Sequence, residues 1–230
     1  MIKKLSIISG IFFILINFNF AIAHVLHYDK LNKLVFDLYW NNQIIGQHIY
    51  IFNREGKHLT VKNTIDIKIK KLGINFYEYF SEGIEKYVDG KFESFASKTN
   101  HNKKEKFVNI DKKDGQFYIN GSSYKGIAPD NFILGTWWNH SIVKYKAQIS
   151  PSSGRIIKQK VKYIGKEDIK INDKTYAALK FNFSSSDPSL SKNKKLNTTV
   201  WYDEKTLIWL KASFDKKGYW EYRLRNFRQH

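Results

Sequence analysis

"LTVKNTIDIKIKK", residues 59–71, decides the fold class. Val61, Ile65, Ile67 and Ile69 fall on one face of an extended chain, and Thr60, Lys62, Thr64, Asp66 and Lys68 fall on the other. Successive side chains of a strand point to opposite faces, so a period of two over this length marks a half-buried β-strand. The pattern continues in both directions. Upstream, "LVFDLYW" (34–40), the turn "NNQ" and "IIGQHIYIF" (44–52) form a hairpin. Downstream, "INFYEYFSEGIEKYV" (74–88) and "KFESFASKT" (91–99) meet at Asp89-Gly90, a pair favoured in tight hairpin turns. "KFVNIDKKDGQFYIN" (106–120) turns at Lys112–Gly115. Beyond the turn "PSSG" (151–154) come six more strand-like runs, at 155–165, 166–172, 174–184, 196–203, 207–215 and 219–227.

Between these halves the alternation breaks. "PDNFILGTWWNHSIV" (129–143) has no period of two, and Asp130 or Asn131 is placed to cap one or two helical turns. Adjacent Trp137 and Trp138 diverge in either a strand or a helix, so they cannot share one pocket. One is expected inside a curved sheet and the other on its rim. Strands also differ in their faces: 59–71 is apolar on one side, whereas 34–40 is apolar on nearly both. Such a mixture suits an all-β domain built as one strongly curved antiparallel sheet or incomplete barrel, with a short helical or loop plug around 130–142. A two-sheet β-sandwich is the alternative.

The N-terminus carries Lys3 and Lys4, an apolar run from Ile7 to Ile16, and Ala21-Ile22-Ala23. That order is a secretory signal peptide, residues 1–23, leaving a single β domain at 24–230. The expected product is periplasmic or secreted, and soluble after cleavage. No cysteine is present, so neither disulfides nor a lipid-modified N-terminal cysteine is available. The formal charge of +18 attracts anionic partners, among them an anionic envelope surface. Only five residues are arginine (54, 155, 223, 225 and 228), and lysine with abundant asparagine and isoleucine also fits compositional drift. Export argues against nucleic acid as the partner.

"FDLYWNNQIIGQH", "GTWW", "PSSGRI" and the stretch from "VKYIGKEDIKIN" to "VWYDEKTLIWLKASFDKKGYWEYRL" resemble an uncharacterised family of exported bacterial proteins, over nearly the whole chain after residue 23. The resemblance implies export and β architecture and assigns no catalytic residue. More distantly, the C-terminal strands look like lipoprotein-carrier proteins, whose half-open barrel holds acyl chains beneath a lid.

Motifs for chemistry are sparse. There is no G-x-S-x-G, P-loop, H-E-x-x-H or G-x-G-x-x-G. Asp37, His48, His140 and Asp203 are the raw material for a triad assembled from distant positions. Asp203 opens the turn "DEKT", where aspartate is favoured for backbone reasons. No catalytic residue and no cofactor is expected. A free amine at His24 together with His27 can bind copper. Three function classes compete: an envelope protein holding a lipid-like or amphipathic ligand, an interaction module with a filled core, and a hydrolase-like enzyme. For the first, the candidate ligand residues are Trp137, Trp138, Trp40, Trp201 and Tyr202. Under the second, the same aromatics complete the core.

Overall fold

The computed structural model describes residues 27–71, 73–129 and 131–229. The proposed signal peptide, His24 and Asp130 lie outside the described residues. Fifteen strands follow in chain order: β1 (Leu31–Trp40), β2 (Gln43–Glu55), β3 (His58–Lys71), β4 (Ile74–Val88), β5 (Lys91–His101), β6 (Lys104–Lys113), β7 (Gln116–Gly121), β8 (Lys125–Pro129), β9 (Phe132–Leu134), β10 (Ala147–Ile149), β11 (Ile156–Ile171), β12 (Lys174–Ser185), β13 (Asn197–Asp203), β14 (Trp209–Asp215) and β15 (Tyr219–Gln229). They form one sheet in the order β8-β7-β6-β5-β4-β3-β2-β1-β15-β14-β13-β12-β11-β10-β9. The sheet curls into a nearly closed barrel whose seam, between β8 and β9, is unsealed.

Local chemistry explains the meander. Asn41-Asn42, Asp89-Gly90, Asn102-Lys103 and Asp114-Gly115 all carry positive φ at both positions. That backbone twists in the same sense as the flanking strands, which makes it the favoured two-residue hairpin turn. Alternation then sets the inner face. Val61 of β3 pairs with Phe52 of β2 and Glu85 of β4, while Ile67 pairs with Gly46 and Tyr79. Val61, Ile67 and Ile69 are buried, whereas Lys62, Asp66 and Lys68 are exposed.

Two departures from the sequence expectation have physical causes. Residues 155–172, read as two runs, form the single strand β11, which bends through a register shift at Gly165. Its φ of 145° is accessible to glycine, so the residue marks a bulge and not a turn. The tip of the β11–β12 hairpin reaches β15, where the Asn172 side chain donates to the Arg225 carbonyl at 3.2 Å. Ile169, Ile171 and Tyr176 pack against the main core from this arm. In the plug, Phe132–Leu134 form a short strand parallel to Ala147–Ile149. The helical turn begins later, at His140–Lys144, capped by Asn139, whose side chain accepts from the Ser141 amide at 3.1 Å.

The interior is filled by two inserts. Residues 135–146, between β9 and β10, enter the larger core, and the "PSSG" turn enters the smaller. There the Ser97 hydroxyl donates to the Pro151 carbonyl at 2.5 Å, and Gly154 packs against Val108 and Ile119.

Candidate functional site

The inserts leave one end of the barrel unfilled. A cavity of about 500 Å³ opens where the β1–β2, β3–β4, β5–β6 and β14–β15 turns gather. Five strands supply its apolar wall. β3 presents Ile65, Ile67 and Ile69, and β4 presents Phe76, Tyr77 and Tyr79. β14 and β15 present Phe214, Trp220 and Tyr222, and β1 ends on Trp40. His101, Asn102, Lys216 and Lys217 form the polar part of the lining. The volume is that of a small-molecule site, and such sites are mostly apolar with a few placed polar groups.

The aromatic wall is held in place. Trp220 stacks on Phe214 (centroids 5.8 Å, planes 7° apart) and meets Tyr77 edge-on at 5.6 Å. The Trp40 indole donates to the Lys217 carbonyl at 3.1 Å, and the Trp220 indole to the Lys216 carbonyl at 2.9 Å. Gly218 makes this clasp feasible, since a β-carbon there would stand 2.3 Å from the Trp40 nitrogen. Burial, with Tyr79 nearby, pushes the Tyr77 hydroxyl up to about 12, so it stays neutral. Desolvation lowers the His101 pKa, and Lys106, Lys216 and Lys104 lower it further. The mouth is therefore electropositive around an apolar interior.

Behind the floor lies an aromatic cluster. Tyr222 stands 5.9 Å from His48, 5.9 Å from Trp137 and 5.5 Å from Trp209. Neither ring nitrogen of His48 has a hydrogen-bond partner among the described residues, and the Trp137 indole N–H and the Asn63 amide nitrogen are alike in this. Burial pushes the His48 pKa down to about 3, so the ring is neutral.

Of the aromatics singled out from sequence, Trp40 lines the cavity. Trp137 packs behind it, against Trp209 and Tyr222. Trp138 is fully buried, among Tyr28, Phe52 and Tyr87, and its indole donates to the Glu85 carboxylate at 3.0 and 3.2 Å. Tyr202 is buried, and its hydroxyl donates to the Trp137 carbonyl at 3.0 Å. Trp201 pairs across the sheet with Lys180 and Lys211, whose ammonium groups each sit 5.0 Å from its ring. Its indole donates to Glu167 at 3.2 Å. Trp201 and Tyr202 are thus adjacent residues on opposite faces of β13.

Glu85 is the buried group that sequence reasoning passed over. It has no exposed surface, accepts from the Tyr87 hydroxyl at 2.7 Å and from Trp138, and is also hydrogen-bonded by Thr136. Burial raises its pKa to about 7 against the pull of those hydrogen bonds. A signal existed: counting by twos along β4 from Tyr79 or Tyr87 places Glu85 on the inner face.

The residues weighed for a triad are dispersed. Asp37 and His48 sit on facing strands, but Asp37 pairs with Arg225 (Nε to Oδ2 2.8 Å) while His48 lies in the core. Asp203 accepts from the Thr206 amide at 2.9 Å, as its turn requires. The His140 ring packs edge-on to Tyr202 and Phe181. His27 is exposed, with Nε2 2.8 Å from the Thr206 carbonyl. Among the described residues no helix is long and apolar enough to cross a membrane.

Fold and cavity together define a class: a plugged, nearly closed β-barrel with an aromatic mouth. Residues 36–225 match the family described as Domain of unknown function (DUF6134), and the chain belongs to that family. No curated protein matches it. Among solved structures, it is similar to a beta-barrel-like protein of Domain of Unknown Function DUF1849 from Brucella abortus. The two are 11% identical, with a TM-score of 0.58 over 87% of this chain and 98% of that one, a likeness of fold alone.

Proposed function

We propose that the protein is an exported, non-catalytic carrier that holds an amphipathic ligand in the mouth of its barrel. An acyl chain would lie against Ile65, Ile67, Ile69 and the aromatic wall, with an anionic head at Lys216 and Lys217. The observation that carries this reading is the pairing of an apolar cavity of about 500 Å³ with a lysine-bearing lip. Burying about ten methylenes is worth about 8 kcal/mol, the order of a micromolar Kd before ordering costs.

Tryptophan emission reads this site directly, because Trp40 and Trp220 line it. Palmitate added to detergent-free protein is expected to shift the emission saturably. Ile67→Trp, which fills the cavity from β3, is expected to abolish saturable binding of a fluorescent fatty acid while leaving the circular dichroism of the barrel intact. A wild type that responds to neither fatty acid nor phospholipid would sink the reading. The export half rests on Lys3, Lys4, Ile7–Ile16 and Ala21-Ile22-Ala23. Intact mass of the exported protein should begin at His24; retention of Met1 would overturn it.

A further inference from the structure

The most exposed apolar side chains share one end of the barrel. Among the described residues, the three most exposed large hydrophobics are Ile74 (72%), Ile44 (61%) and Phe76 (59%). All three stand at the cavity mouth: Ile44 is the second residue of β2, and Ile74 and Phe76 are the first and third of β4. Exposed lysines share this end, namely Lys70 at the end of β3, Lys103 and Lys104 at the β5–β6 turn, and Lys216 and Lys217 at the β14–β15 turn. Asp215, Glu78 and Glu105 are the acidic residues there. Solvent-exposed apolar tips ringed by excess lysine match one environment in particular. Apolar side chains enter the boundary of the acyl region while cations meet anionic head groups. Trp40 and Trp220 suit the same depth, since tryptophan favours the membrane–water interface.

We propose that the mouth end docks on an anionic phospholipid bilayer, so that the cavity opens against the membrane. Docking stands on the rim alone; the idea that a ligand passes between bilayer and cavity rests on the carrier reading above. The arrangement gives an amphipathic ligand a route that does not cross water, which is the costly step for an acyl chain.

Vesicle flotation tests it, using the protein as it is recovered from cells. Phosphatidylcholine vesicles containing phosphatidylglycerol are expected to capture the protein at least tenfold better than phosphatidylcholine alone, with the difference shrinking at high salt. Ile44→Asp/Ile74→Asp, two positions outside the cavity wall, is expected to reduce that capture tenfold or more while keeping the melting temperature and the palmitate response. Equal capture by both vesicles, no capture, or capture indifferent to the double variant each overturns the proposal. So does a concentration-dependent dimer, abolished by the double variant, in protein that no vesicle captures. Loss of the palmitate response with vesicle capture intact would sink the carrier reading and leave docking standing.

Discussion

Trp138→Ala is expected to destabilise the barrel by about 3–5 kcal/mol, the usual effect of deleting a large buried aromatic. The indole fills the space between the plug and the inner faces of β2 and β4, against Phe52 and Tyr87. It is also a donor to Glu85, so the alanine variant leaves a buried carboxyl short of a partner. Trp138→Phe keeps most of the ring and removes the donor, and should cost about 1–3 kcal/mol through the unsatisfied group. Trp137 makes an internal control. Its N–H has no partner among the described residues, so Trp137→Phe should change stability by under about 1 kcal/mol. Urea unfolding of the three variants checks this. Equal losses for Trp137→Phe and Trp138→Phe would show that the Glu85 bond does not anchor the plug.

The same two tryptophans show what was legible in the sequence. Alternation over 59–71 identified β3 and its inner face because a period of two is a local property of the chain. Asp89-Gly90 and Asn41-Asn42 identified hairpins because positive φ is a local demand. The interruption at 129–143 marked the insert, since such a segment cannot join a ladder. What stayed hidden was non-local. Alternation points Ile65 and Val61 the same way, yet Val61 packs under the plug while Ile65 faces open cavity. Only the path of residues 135–154 through the barrel decides which inward side chains are covered. Trp201 and Tyr202 read alike in sequence and both are buried, but one lies between two lysines and donates to Glu167 while the other donates to the plug at the Trp137 carbonyl. Gly165, where the sequence divides into two runs, lies inside one strand as a bulge because β12 runs alongside on both sides of it.

The stability of the barrel should depend on pH through two buried groups that act in opposite directions. His48 falls from its ordinary 6.5 to about 3 in the folded protein. Between those values the unfolded chain binds the extra proton, so stability rises with pH, by about 1.4 kcal/mol per unit and about 4–5 kcal/mol in all. Glu85 rises from 4.5 to about 7. Between those values the folded chain binds the extra proton, so stability falls with pH, by about 3 kcal/mol in all. From pH 4.5 to 6.5 the two slopes nearly cancel, and single substitutions should expose them. His48→Phe keeps an aromatic ring among Phe36, Tyr50, Trp209 and Tyr222 and deletes two unpartnered nitrogens. It should be close to neutral at pH 7 and gain on the wild type as pH falls from 6.5 toward 3. Glu85→Gln should gain on the wild type as pH rises from 4.5 to 7, because its amide cannot ionise. Denaturant unfolding at half-unit pH intervals gives both difference curves. A flat curve for His48→Phe below pH 6.5 would mean that the imidazole is not held neutral, and a flat curve for Glu85→Gln that the carboxylate at the heart of the plug is ionised throughout.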